Sequence, residues 1–455
     1  MRKTGASSLW RLVPEDVRNF TDILKGEGYE AYVVGGCVRD MILGREPSDF
    51  DVTTSALPED TVRILESKGV KTFGTGLKHG TVTALSGAGP VEITTYRVDG
   101  EYKDNRHPEK VMFTSSLRDD LSRRDFTINA MALGEDGVKD YFGGTDDLEK
   151  GIIRAVGDAE KRFKEDGLRI MRALRFAATY GFKLDEKTSE AVLSCRRLLE
   201  NISRERIYSE FTRLICGKGA GEILRKYREV FFEIIPELEI CSGFDQRSSF
   251  HLYDVYEHMV RAMENVRPEP VIRMAALFHD IGKPYCFTLG DDGEGHFYGH
   301  AEIGEEKAGE ILARLKSDGE TRRRVRLLVK NHHRQVEDTD RAVRRALGKL
   351  GEEQFFTLLE LKHADGIATG KPSEDEGRHW LKVEKRAKDI LDRKDCISRK
   401  QLAVSGRDLM EAGIPQGREM GKILNELLEE VLDGRIRNDK EELLKEATVL
   451  YNSCG

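Results

Sequence analysis

Residues 31–57 read AYVVGGCVRDMILGREPSDFDVTTSAL, and the fold follows from how this stretch is punctuated. An apolar, β-rich run, Ala31-Tyr32-Val33-Val34, stops at Gly35-Gly36. A strand ending in paired glycines lets backbone N–H groups turn toward the phosphate oxygens of a ligand. Val38 to Leu43 then has helical spacing, which places Arg39 near a helix N-terminus, where anions are favoured. In a strand through Asp49-Phe50-Asp51, residues two apart share a side, so both carboxylates are expected to face the Gly35-Gly36 turn. Two such carboxylates repel unless a cation lies between them. All-oxygen donors suit Mg²⁺, which also bridges substrate phosphates. The stretch reads as a metal-dependent phosphoryl or nucleotidyl transfer site, with Asp49 and Asp51 on the metal and Gly36 and Arg39 on the phosphate side.

A Gly-Gly pair alone is ordinarily a turn, and an Asp-x-Asp alone a solvated loop; the two together, with an arginine between, are far more specific. GGCVRDMILGREPSDFDVTT resembles the signature of the polymerase-beta-like nucleotidyltransferases, and within them the bacterial class II tRNA nucleotidyltransferase and poly(A) polymerase family. The resemblance implies an α/β head with a mixed sheet, followed by an all-helical neck, HD body and tail. It also implies that Asp49 and Asp51 hold the catalytic metals.

Around this stretch, Pro14 to Gly26 reads as an amphipathic helix with Val17, Phe20, Ile23 and Leu24 on one face. Pro58 to Lys68 looks helical. Gly80–Leu85 and Val91–Tyr96 look like strands separated by a Gly/Pro turn. Glu92 is then a third carboxylate beside the Asp strand, or a plain surface residue. The polar stretch 99–110 (DGEYKDNRHPEK) reads as a mobile loop. By the resemblance it is the loop retained by enzymes that add the terminal A.

On spacing alone, the Asp or Thr of Arg123–Ala132, RRDFTINAMA, is an N-cap of an apolar helix. By the resemblance the same string holds ribose and triphosphate through Arg124, Asp125 and Asn129. Residues 140–148, DYFGGTDDL, form a turn that matches the family's hinge between head and neck. Asp158 to Tyr180 is periodic and reads as one helix burying Phe163, Leu168, Met171, Leu174 and Phe176. Arg162, Asp166 and Arg169 fall at i, i+4 and i+7, an expected exposed face. Glu165-Asp166-Gly167-Leu168-Arg169 matches the family's EDxxR motif. The match implies that Asp166 and Arg169, with Arg172 nearby, bind the incoming nucleotide and read its base edge. A carboxylate accepts from an exocyclic amine and a guanidinium donates to ring nitrogen or carbonyl.

A second chemistry begins near residue 250. His251, Asp254 and His258 fall at i, i+3 and i+7, and His279-Asp280 ends an apolar helix, where burial is costly unless something binds the pair. Eight of the eleven histidines lie between His251 and His363. Mixed imidazole and carboxylate donors suit a transition metal such as Ni²⁺, Co²⁺ or Mn²⁺ better than Mg²⁺. The pattern His258, His279-Asp280, Asp365 is similar to the HD-domain metal-dependent phosphohydrolases, with His300 and His332 available for a second ion. A degenerate HD fold used as scaffold is the alternative.

At 455 residues the chain is expected to hold several domains. We divide it into a head at 1–150, a neck at 151–240, an HD body at 241–370 and a helical, RNA-binding tail at 371–455. The formal charge of −7 announces no nucleic-acid partner globally, so any basic surface is local. Arg322–Arg324 and Arg344-Arg345 are either solvated faces or phosphate contacts. The seven scattered cysteines, with no signal peptide or membrane span in view, suggest the cytoplasm and no membrane partner. The expected reaction is addition of CCA to tRNA from CTP and ATP. A poly(A) polymerase, an A-only enzyme, and an HD phosphohydrolase with an RNA-binding head are the rivals; oligomeric state is not legible.

Overall fold

The computed structural model describes residues 6–87, 89–100, 111–248, 251–291 and 293–453. The chain forms two compact units, Met1–Glu239 with Arg314–Lys316, and Ile240–Ala313 with Ser317–Gly455. Residues 101–110, most of the expected loop, lie outside the described residues.

The first unit is built on strands β1 (Ala31–Val34), β2 (Asp51–Thr54), β3 (Thr72–Gly76), β4 (Thr81–Ser86) and β5 (Gly89–Thr95). After a short β6–β7 ribbon (Arg97–Asp99, Val111–Phe113) come β8 (Met131–Gly134) and β9 (Gly137–Asp140). Seven of them form one sheet in the order β3-β4-β5-β2-β1-β8-β9. The sheet is mixed, because β2 runs parallel to β5 and antiparallel to β1. Ala31, Val33 and Val34 are fully buried, each valine contributing about 1.5–3 kcal/mol of burial. With Tyr96, Leu117, Leu121, Ala130 and Ala132, Val34 makes the apolar floor on which the site stands.

Three expectations are corrected here. The strand of the Asp pair starts at Asp51, so Asp49 lies in the preceding irregular segment, not on the strand. RRDFTINAMA does not open a helix: Thr127–Asn129 is one 3₁₀ turn leading into β8. The helix expected over 158–180 is broken at Asp166-Gly167 into Ala159–Glu165 and Leu168–Tyr180. Asp166 takes an extended φ of −139° and ψ of 105°, and its carboxylate accepts the Leu168 N–H at 3.0 Å. That local bond competes with the helical ladder. The expected apolar face nonetheless stays buried across the break.

The second unit is helical. Val255–Glu264, Pro270–Phe278, Gly319–Asn331 and Glu352–Ala368 pack against one another. Arg418–Asp433 and Lys440–Ser453 enclose a smaller core of Leu409, Ile423, Leu427, Leu443 and Ala447. Arg341 and Arg345 both pair with the buried Asp433, at 2.9 and 2.8 Å. Arg323 and Arg324 pair with Glu320 and Glu353, and Arg344 bonds Asp395 and the Leu432 carbonyl. Most of these basic residues therefore brace the unit internally. Among the described residues no helix is long and apolar enough to cross a membrane.

Candidate nucleotidyl-transfer and metal sites

Strand register positions the head site. Val34, just before the glycine turn, pairs with Asp51, and Asp51 pairs with Glu92 on the other side. Gly35 has φ of +86° and leads into the Gly36–Ile42 helix. A Cβ on it would also lie 3.0 Å from Nη1 of Arg124, so glycine is required for both conformation and contact. Asp51 stands exposed at the start of β2, yet partial burial pushes its carboxyl up to about 6; Arg124 opposes this, while Asp49 and Glu92 add to it. Two acidic groups beside one raised carboxyl, with one arginine in opposition, fit a bound divalent cation. The three carboxylates do not, however, converge as tightly as a preformed metal cage. Among the described residues, only two histidine–aspartate clusters in the second unit bring three or more ligand atoms within 4.8 Å of one another.

Arg39 is corrected from an anion-facing residue to an internal one. Its Nε and Nη2 grip Asp40 at 3.0 and 2.8 Å, and its Nη1 donates to Asn129 Oδ1 at 2.6 Å. Its guanidinium also lies over Phe176 and Tyr180, about 5 Å from each ring centroid. Arg124 is the cation left beside the glycine turn; among the described residues its buried Nε has no hydrogen-bond partner, and a long 3.8 Å contact joins it to Asp120. Asp120 itself is fully buried and sequence reasoning missed it. It accepts from Arg123 and from Thr53, the residue on the same strand face as Asp51.

Asn129 continues the chain of bonds by donating to Asp125 Oδ1 at 3.0 Å, while Arg172 grips Asp125 Oδ2 at 2.6–2.8 Å. Burial alone would raise Asp125, but Arg172, Asn129 and Arg169 outweigh it and hold the carboxyl at about 2. Arg172 and Arg175 then reach the buried Glu210.

The base-reading candidates are not on an exposed face. Arg169 is 9% exposed; it bonds Glu165 at 2.8 Å and the carbonyls of Arg162 and Arg123 at 3.1 and 3.0 Å. Asp166 accepts from Arg206 at 3.0 Å. The helix break explains the departure: it turns Arg169 inward and leaves the Asp166 carboxylate bridging two neck segments. Arg206 sits on the helix Arg204–Ile215.

In the second unit, Asp254, which shares a helical spacing with His251 and His258, serves as a helix cap, accepting the N–H groups of Glu257 and Gly243 at 2.7 and 2.8 Å. His251 precedes the helix, its ring 5.1 Å from that of His258. His258 Nε2 and His279 Nε2 lie 3.0 Å apart. Asp280 Oδ2 and Asp365 Oδ1 both lie 3.0–3.4 Å from them. The other Asp280 oxygen faces His300 and His332 at 3.6 and 3.5 Å. The structure thus brings all six residues together, with Asp280 shared between two clusters. Gly282 permits this: a Cβ there would be 2.2 Å from the His300 carbonyl.

The imidazoles are oriented for ligation. Nδ1 of His279, His300 and His332 donates to the carbonyls of Ala276, Phe297 and Val329 at 2.6–2.8 Å. That fixes each tautomer with a free lone pair on Nε2. Burial would lower His279, but Asp280 and Asp365 reverse this and raise it to about 10, whereas burial holds His300 and His332 low, so positive charge is favoured in the first cluster. Nitrogen and oxygen donors in that setting fit a transition-metal ion. Lys283, missed from the sequence as a site residue, reaches Asp280 at 2.6 Å and Gln246 at 2.7 Å. Lys362 bonds the His332 carbonyl and lies over Trp380.

Comparison with known proteins extends these observations to the whole chain. Residues 31–154 match the "Poly A polymerase head domain", 181–241 the "Probable RNA and SrmB- binding site of polymerase A", and 296–447 the "tRNA nucleotidyltransferase domain 2 putative". A CCA-adding enzyme of Ligilactobacillus salivarius is 33% identical over 96% of this chain and 98% of its own length. The chain belongs to the CCA-adding enzyme family. Another member, from Geobacillus thermodenitrificans, is 48% identical over 44% of this chain and 49% of its own. The crystal structure of the Bacillus stearothermophilus CCA-adding enzyme in complex with CTP superposes with a TM-score of 0.68 at 28% identity, covering 96% of this chain and 97% of that one. Family membership makes this chain a tRNA nucleotidyltransferase with a mixed-sheet head and a mostly helical remainder. The histidine–aspartate clusters begin before the residue range of the third family model, since His258, His279 and Asp280 precede residue 296.

Proposed function

We propose that the chain adds CCA to tRNA 3′ ends from CTP and ATP, without a nucleic-acid template. The observation that carries this reading is the end-to-end similarity to CCA-adding enzymes, which spans the head, the neck and the helical remainder together. In the reaction, the RNA 3′-oxygen bonds to the α-phosphorus, the α–β P–O bond breaks, and pyrophosphate leaves. Asp49 and Asp51, with Glu92 beside them, would hold Mg²⁺, which would supply charge neutralisation at the triphosphate and acidify the attacking hydroxyl.

The chain's own residues do the rest. Arg124, with its unpartnered Nε against the glycine turn, faces the triphosphate beside Gly36. Asp125 is kept ionised as an acceptor for the ribose, and Asn129 orients it. Asp166 and Arg169 read the base edge, Arg206 and Glu165 holding them ready. We divide these tasks among a catalytic head at 1–150, a base-reading neck at 151–240 and an RNA-holding tail at 371–455. The six described cysteines are free, in keeping with a reducing cytoplasm. The test supplies tRNAs ending before CCA, at C and at CC with each nucleotide separately. Addition of C, C and then A, and no further, supports the reading. Only a final A, or an extended A tract, would make it an A-only enzyme or a poly(A) polymerase.

One observation favours a second activity in the body at 241–370: Asp280 offers one oxygen to each of two ligand clusters. His258, His279, Asp280 and Asp365 would hold one transition-metal ion, and Asp280, His300 and His332 a second. Such ions supply a hydroxide nucleophile and a Lewis acid for phosphoester hydrolysis. Phosphomonoesters and 2′,3′-cyclic phosphates are the substrates of choice, because removing them restores the hydroxyl the head requires. A phosphoester panel with Ni²⁺, Co²⁺ or Mn²⁺ tests this; no metal-stimulated hydrolysis leaves the body as scaffold.

A further inference from the structure

Two residues before His300, Tyr298 stands 77% exposed. Its ring is stacked on His296, with centroids 5.5 Å apart and planes at 16°. The pair is anchored. Gly295 donates to the Arg247 carbonyl at 2.7 Å, Phe297 packs on Phe287, and Phe287 packs on Phe244. The Phe297 carbonyl accepts from His300 Nδ1, which ties the aromatic pair to a metal-ligand candidate. A bared, rigid aromatic pair is what nucleobases stack on, at about 1–3 kcal/mol per base.

Tyr298 borders two cavities. One, of about 400 Å³, contains Asp280, Lys283, His300, His332 and Asp365. The other, of about 440 Å³, is lined by Lys330, Arg334 and Lys349. Lys330 is paired with Glu305 at 2.6 Å. Among the described residues Arg334 and Lys349 enter no ion pair, and Nη1 of Arg334 is buried with no hydrogen-bond partner. A buried guanidinium nitrogen without a partner is costly. A mononucleotide filling the metal cavity would leave it so.

We propose that this face binds the 3′-terminal stretch of single-stranded RNA. The terminal base stacks on Tyr298 and His296, its phosphoester enters the histidine–aspartate cavity, and a preceding phosphate lies against Arg334 and Lys349. This deepens the phosphohydrolase reading of the body and rests on it for the chemistry, though not for the binding.

The test uses the full chain with Tyr298→Trp as a local reporter and no added metal. The probe is the trinucleotide ApApA bearing a 3′-phosphate, compared with adenosine 3′-monophosphate. Stacking is expected to quench the indole, with the trinucleotide binding about 10-fold tighter or more, the effect of one charged contact. In Arg334→Gln/Lys349→Gln the slope of log Kd against log salt is expected to shrink by about 0.7 for each phosphate no longer neutralised. Arg334→Lys is expected to restore part of it, and CCA addition to tRNA to be unchanged. Equal affinity for the two ligands, an unchanged salt slope, or no quenching overturns the proposal. Separately, hydrolysis of a 2′,3′-cyclic phosphate on ApApA and on adenosine is compared with Co²⁺, Ni²⁺ or Mn²⁺. Absence of hydrolysis with intact, length-dependent quenching overturns the phosphohydrolase reading and leaves the RNA-end site standing.

Discussion

In the head, the acidic groups sit at the rim of a sheet and do not converge; in the body, imidazole and carboxylate ligands already lie within hydrogen-bond distance of one another. The difference follows from what each centre is made of. Asp49 lies in the irregular segment two residues before Asp51, and Glu92 lies on the neighbouring strand, joined to Asp51 through sheet register. An oxygen-only site of that kind is completed when the triphosphate brings further oxygens with its ion. The body's ligands come from the ends and interiors of packed helices, with three Nδ1–H groups pinned to carbonyls. Such a site is assembled by the fold itself. On the reading proposed above, substrate would complete the first centre and a metal ion alone the second.

That contrast is most sharply broken at Asp51. Asp51→Ala is expected to lower nucleotide addition by on the order of 10³-fold or more, since several kcal/mol of charge stabilisation is removed. Metal-stimulated phosphoester hydrolysis should be untouched. Addition at a near-normal rate would remove Asp51 from the metal. The mirror experiment is His279→Ala with Asp280→Ala. Hydrolysis is expected to vanish and calorimetric Co²⁺ or Ni²⁺ binding to fall in both clusters, because both share Asp280, while CTP and ATP addition persists.

A smaller effect is expected in the neck. Asp166→Ala should cost up to about 3 kcal/mol of discrimination between nucleotides, read as incorporation of all four on tRNA lacking CCA. Unchanged rejection of UTP and GTP would make Asp166 structural. Last, Asp125→Asn should cost about 2 kcal/mol of stability at neutral pH. The folded pKa, near 2, is below the ordinary value near 4. The wild-type contribution is therefore present above pH about 4 and lost as pH falls toward 2. Denaturant melts of the two chains should converge over that window; parallel curves would show that Asp125 carries no such linkage.

Much of this was legible because it rests on short-range rules. Short β-rich runs marked the strands, and the pair Gly35-Gly36 marked the turn after β1. Five apolar positions between Phe163 and Phe176 were readable by period and are all buried. The misses come where side chains override that period. Asp166 caps the backbone locally and breaks the helix, so a face drawn by counting residues pointed Arg169 the wrong way. Arg39 read as a helix-start cation, but nothing local tells that Asn129, ninety residues on, takes its Nη1. Asp120 belongs to no motif the sequence reading used; its bonds to Arg123 and Thr53 alone reveal it. In the body, residue types were enough to suspect metal, whereas the sharing of Asp280 depends on helix packing through Gly282.

The two oxygens of Asp125 have a consequence for how this protein can be divided. One takes Asn129 and the Phe126 N–H from the sheet-bearing segment; the other takes Arg172 from the helix after residue 150. A fragment ending at residue 150 would keep the carboxylate and lose its guanidinium, leaving a buried charge uncompensated, at a cost of about 3–5 kcal/mol. Sequence motifs invite a cut there, but electrostatics forbids it. The smallest portion that retains its own counter-ions extends through Glu210, so the sheet-bearing segment and the helices up to Glu210 belong to one folding unit.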